Sequence, residues 1–178
     1  MQSKLPFGRL LALFLCLASL MIWKPVTGMA QETEKPKKSL YERLGEISEE
    51  RLGGQRLGGA YKIAAIVSDL VDRLQVNEVI SANPKIKRIS GPAMPGHKFE
   101  FTLMICSLAG GPQKYAGRSL MQAHGELDIS EKEWKAMMAE LKTVLDEHKV
   151  PAAEQKEFIA LIDRTAKDIA KPKHGKQE

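Results

Sequence analysis

The sequence predicts an all-α fold built as one domain, and three observations carry that prediction. Apolar residues recur at spacings of three and four along most of the chain, no stretch reads convincingly as a strand, and Ser-x-x-Glu boxes stand where periodic stretches begin. Stretches rich in Gly and Pro interrupt the pattern, so the helices must be joined there by irregular chain.

Residues 1–30 read as a transport signal and not as part of the fold. Lys4 and Arg9 make a positive start, the apolar run "LLALFLCLASLMIW" follows, and small residues lead to a cleavage point after Ala30. That run is shorter than the roughly 20 residues of a spanning helix, and Leu15, not a small residue, precedes Cys16, which argues against a lipoprotein site. The expectation is a mature protein outside the cytoplasm, in the periplasm of a Gram-negative cell, with no stable membrane association once the signal is removed. Retention of the segment as an anchor is the alternative.

Residues 31–38 and 171–178 are charged and lack apolar periodicity, which predicts a flexible linker and a flexible tail around a domain at 39–170. Ser39 and Glu42 form a capping box that opens a short helix. Arg-Leu-Gly then occurs three times, at 43, 51 and 56, a local duplication too short for a solenoid repeat. From Ala60, the residues Ile63, Ile66, Val67, Leu70, Val71 and Leu74 make one apolar helix face. Three prolines and two glycines between 83 and 96 predict a turn. Residues 97–109, "HKFEFTLMICSLA", are apolar over most of the circumference of a helix, as expected for one buried on several sides. A long Gly-rich segment, 110–130, follows. Ser130 and Glu133 make a second capping box, ahead of a stripe of Trp134, Met137, Met138, Leu141, Leu145 and His148. A last helix starts at Val150 and Pro151, with Phe158, Leu161, Ile162 and Ile169 facing inward.

Composition removes several function classes. The formal charge of +5 is carried by the signal and the chain ends, for between Ser39 and Ala170 eighteen Lys and Arg stand against nineteen Asp and Glu, so nucleic-acid binding is not expected. Cys106 is the one cysteine beyond the signal, which excludes an intrachain disulfide and a thiolate metal cluster. It reads as a small buried hydrophobe.

An all-helical domain that carries a long Gly-rich segment has given up regular packing there, which points to function. His124 lies at the centre of that segment, flanked by Leu120 and Leu127, so its ring faces the apolar side, either as a hydrogen-bonded core residue or as a ligand. His97 opens the preceding apolar helix. The span between the two holds one helix, a Gly-Gly turn and a returning loop, which would let two imidazoles face each other across a planar group. Without a Cys-x-x-Cys-His motif, any haem there is held without thioether links. His148 sits at a helix C-terminus, favourable for a partly charged imidazole, and is assigned no chemistry.

"SLYERLG", "IAAIVSDLVDRL", "CSLAGGPQKYAGRSLMQAH" and "DISEKEW", in this order, resemble the truncated haemoglobins of group I over roughly Ser39 to Ala170. The resemblance implies a two-over-two helical sandwich around haem b, with His124 as the proximal iron ligand and the glycines of 110–130 letting the chain pass close to the porphyrin. It places His97 at the distal position, with Phe101, Met104 and Ile105 over the ring and Leu70 and Val71 closing the far end of the pocket. Leu120 belongs to the proximal side. Tyr115 is a candidate for the ring edge or for a structural role, and Arg118 and Lys98 are either partners for the haem propionates or solvated surface charges. The chain departs from the family in having Val71 where many relatives carry Tyr, which removes the usual donor to a bound ligand.

Two functions follow from the resemblance. In the first, the protein binds oxygen or nitric oxide at a single iron, with His97 as hydrogen-bond donor. In the second, both histidines ligate the iron and the protein transfers electrons or senses redox state or gases. A haemless helical scaffold is a third reading. Any enzymatic role needs a reductase as electron donor, and the sequence identifies none.

Overall fold

A computed structural model describes residues 38–48, 51–52, 54–56, 58–87 and 91–170. The expected signal at 1–30, the expected flexible linker at 31–38 except for Lys38, and the expected flexible tail at 171–178 lie outside the described residues. The helix α1 (Leu40–Ile47) begins at the predicted box, with the Ser39 backbone N–H donating to Glu42 Oε2 at 2.7 Å and the Glu42 N–H donating to Ser39 Oγ at 3.2 Å. These bonds satisfy two of the donors that a helix start otherwise leaves unpaired.

The second and third Arg-Leu-Gly copies depart from the expectation of no strand. Two-residue strands β1 (Arg51–Leu52) and β2 (Gln55–Arg56) pair antiparallel. Gly54, at φ 85°, turns the chain between them in the way short hairpin loops require.

The central helix is α2 (Gly58–Val76), which packs on α1 and on helices described below. It buries Ile63, Ile66, Val67 and Leu70, while Val71 and Leu74 of the same predicted stripe lie half-buried at the margin. The region expected to turn does so through two single-turn helices, α3 (Glu78–Ser81) and α4 (Pro84–Lys87). Asn77 caps α3, its Oδ1 accepting from Val79 N at 3.1 Å and Ile80 N at 3.3 Å.

The helix α5 (Met94–Leu108) begins before His97, because Pro95 fits a first turn that needs no N–H donor. It is followed by α6 (Leu120–His124), α7 (Glu131–Glu147), α8 (Ala152–Asp163) and α9 (Ala166–Ile169). The second predicted capping box closes at Ser130 and Glu133, and Pro151 is the N-cap of α8. Two helix pairs, α2 with α5 and α7 with α8, meet through α2 and α7, while α1 leans on α8 and α6 on α9. This is the expected all-α, two-over-two arrangement. Its core joins Leu44 of α1, Ile63 and Ile66 of α2, Ile105 of α5, Leu141 of α7 and Phe158 of α8. Trp134 is buried against this core, and its Nε1 donates to Asp163 Oδ1 at 3.4 Å.

One expectation fails here. The α5 helix is apolar nearly all round but is buried on one side only, where Ile105 and Cys106 face α2; Phe99 is 60% and Leu108 48% exposed. Uniform apolarity carries no information about which side a neighbour will cover.

Candidate functional site

The end of α5 is a Schellman turn. Gly111 N donates to Cys106 O at 2.8 Å and Gly110 N to Ser107 O at 3.2 Å, with Gly110 at φ 82°. The turn docks the start of α1: Tyr41 N donates to Ala109 O at 3.0 Å, and a Cβ on Gly111 would lie 2.6 Å from the Tyr41 ring. These two glycines therefore make room for the start of α1. Further on, the Tyr115 hydroxyl donates to Arg118 O at 2.7 Å, closing a turn in which Tyr115 is half-buried and Arg118 exposed.

That turn leads directly into α6, which a third capping box opens. Ser119 N donates to Gln122 Oε1 at 3.0 Å, and Gln122 N donates to Ser119 Oγ at 3.2 Å. The Ser-x-x-Gln spacing of this box is legible in the sequence, yet the segment reads as loop there because its glycines dominate. His124 is the last residue of α6, and its Nδ1 lies 3.0 Å from Leu120 O. A carbonyl oxygen can only accept, so Nδ1 carries the proton and Nε2 presents a bare lone pair. Burial holds the pKa below its ordinary value against the opposing bond to Leu120, and the nearby charge of Arg118 acts in the same direction as burial. At neutral pH the ring is thus uncharged, with one nitrogen ready to bind a metal.

The residues expected on the other side are all on α2 and α5. Among them Leu70 and Ile105 are buried in the main core, at 2% and 1% exposure. Val71, Phe101 and Met104 are half-buried around it, and His97 is exposed. Lys98 does not wait for a propionate. Its Nζ donates to both carboxylate oxygens of Asp72 at 2.7 Å and to Ser68 Oγ at 3.0 Å, so the charge is already compensated by α2. These partners were out of reach of sequence reasoning because they lie on another helix, 26 and 30 residues away. His148 is likewise structural, its Nε2 standing 2.7 Å from Asp69 Oδ2. A groove of about 490 Å³ between α3 and the start of α7 contains none of these residues.

The domain thus carries an uncharged, tautomer-fixed histidine on a short helix seated on α9. The bacterial-like globin family matches residues 55–171. The chain belongs to that family. Among solved structures it is similar to the truncated hemoglobin from Tetrahymena pyriformis in its Fe(III) form, at 22% identity and a TM-score of 0.58, covering 75% of this chain and 98% of that one. Two single-residue variants of that hemoglobin, also in Fe(III) form, align with TM-scores of 0.59 at the same 22% identity and the same coverage. At this identity the likeness establishes the fold. Comparison with curated proteins finds no match.

As a globin, the protein is haem-binding, and its residues fit the group. A haem iron takes a neutral imidazole whose second nitrogen is held by a hydrogen bond, which fixes the ring orientation and raises its basicity. His124 meets both conditions through Leu120. The porphyrin needs apolar surface, and this globin offers it on the side of α5 that does not face α2, where helical spacing aligns His97, Phe101, Met104 and Leu108.

Proposed function

We propose that this globin holds one haem b through His124 Nε2 and takes up oxygen or nitric oxide on the α5 side. The observation that carries the proposal is the bond from His124 Nδ1 to Leu120 O, because it leaves the other nitrogen as the acceptor a metal needs. The absence of a Cys-x-x-Cys-His motif supports non-covalent attachment. The haem supplies an iron whose sixth position accepts a small diatomic ligand. The chain supplies the rest: α6 orients His124, Phe101 and Met104 exclude water, and His97 offers an N–H to a ligand. Leu120, Tyr115 and Arg118 border the proximal side. With Val71 on α2, no tyrosine hydroxyl is provided from that position.

A second reading has His97 as a further axial ligand, giving an electron-transfer or sensing protein. It is favoured by the exposed imidazole of His97, for which no hydrogen bond or ion pair occurs among the described residues. Either role fits a protein exported to the periplasm, and turnover of either kind requires an electron donor such as a reductase.

The test is the absorption spectrum of the purified chain after addition of haem, in ferric and ferrous forms, with and without carbon monoxide. A sharp Soret band at one haem per chain that disappears in His124→Ala supports the proposal. Unchanged haem content in that variant overturns the assignment of His124. A low-spin ferric spectrum that His97→Leu converts to high spin selects the second reading.

A further inference from the structure

The start of α5 is weakly built. Its N-cap is Ala93, which makes no side-chain capping bond, and no acidic side chain lies in its first turn. A missing cap costs a helix about 1 kcal/mol. Pro95 and Gly96 add no apolar anchor, and Gly96, His97, Phe99 and Glu100 are exposed. Among the described residues, the polar tie between this turn and α2 is the Lys98 ammonium, three-fold bonded to Asp72 and Ser68 and with 23% of the side chain exposed. Lys98 follows His97 directly, so one residue of the chain fixes the backbone that carries the distal imidazole.

His124 and His97 are held by different supports. The short helix α6 rests on α9, whereas α5 rests on α2. An iron bound by His124 would be carried by α6, whereas the reach of His97 is set by how the start of α5 sits on α2, and the Lys98 clamp fixes that seat. We propose that Lys98, with Asp72 and Ser68, is a positioning group that keeps His97 off the iron and so preserves the open site. The inference rests on the assignment of His124 as haem ligand. It predicts that the choice between a ligand-binding and a bis-histidine globin is made by an ion pair that touches neither haem nor ligand.

The experiment uses the full chain and four variants: Lys98→Met, Asp72→Ala, the charge swap Asp72→Lys with Lys98→Asp, and Lys98→Met combined with His97→Leu. The ferric low-spin fraction is expected to rise about fivefold in each single variant, the gain expected when a part-buried pair worth about 1 kcal/mol is lost. It should return toward the parent value in the swap and vanish when His97 is also replaced. A parent protein already fully low-spin, an unchanged fraction in the single variants, or a rise that persists without His97 would each overturn the proposal. Hydrogen exchange of the amides at 94–100 in the haem-free protein gives the second readout. Exchange about fivefold faster in Lys98→Met supports the clamp, whose role at the iron the spectrum then decides, and unchanged exchange overturns the proposal. If no form binds haem while exchange responds as expected, the assignment of His124 has failed and the clamp has not, but its proposed role at the iron falls with that assignment.

Discussion

The Nδ1–H of His124 is turned back along its own helix onto the carbonyl of Leu120, 3.0 Å away. Half-burial, helped by the nearby charge of Arg118, holds the imidazole neutral against that bond, with its pKa below the ordinary 6.5. A histidine depressed in this way stabilises the fold fully above 6.5, and its contribution is lost as pH falls from there through the lower folded value. Haem-free protein should therefore lose stability between pH 7 and pH 5, and the loss should be shallower in His124→Leu. Urea denaturation at both pH values measures this. Parallel slopes for the two proteins would mean that His124 takes up its proton freely in the folded state.

Gly59 sits where α2 passes under α1. A Cβ there would stand 2.2 Å from Tyr41 O, which is backbone and cannot turn aside. Gly59→Ala is expected to destabilise the protein by about 1–3 kcal/mol, the usual range for overpacking, despite the better helix propensity of Ala. Gly96 in α5 meets nothing within 4 Å, so Gly96→Ala should stabilise by about 0.5–1 kcal/mol. Opposite shifts in denaturation midpoint are expected, and shifts of the same sign would contradict the packing.

Cys106 is fully buried, and its burial pushes the thiol pKa up to about 11. The thiolate is the reactive form, so the native protein should resist an aromatic disulfide reagent at pH 8, while urea-unfolded protein reacts at once. In a Cys16→Ser background, which removes the only other thiol, rapid labelling of the native state would show that α5 separates from α2 far more often than its packing implies.

Phe158 of α8 is 2% exposed in the core that joins α1, α2, α5 and α7. Phe158→Ala should cost about 3–5 kcal/mol, enough to unfold a domain of ordinary stability. Phe158→Leu keeps most of the volume and should remain folded, with a lower midpoint in thermal unfolding followed by circular dichroism.

Much of the fold is legible in the chain because its signals are local. The boxes at Ser39 and Ser130 close over three residues, and the stripes of α2 and α7 repeat within two turns. Spacing alone therefore specifies helix starts and inward faces. His124 is visible for a similar reason: one imidazole stands in a Gly-rich segment. The Arg-Leu-Gly repeat is visible as a repeat, but its folding into a hairpin depends on a positive φ at Gly54 that composition does not announce.

The sequence by itself determined the helical class, the capped starts of α1 and α7, and the histidine that we propose as the haem ligand. Only the tertiary structure decided which side of α5 is covered, that Lys98 belongs to Asp72 and Ser68, and that Gly111 serves Tyr41. The physical reason is range. A bond across three or four residues is set by helical geometry, whereas one across twenty-six or thirty, as at Lys98, exists only once two helices have chosen which faces to bring together.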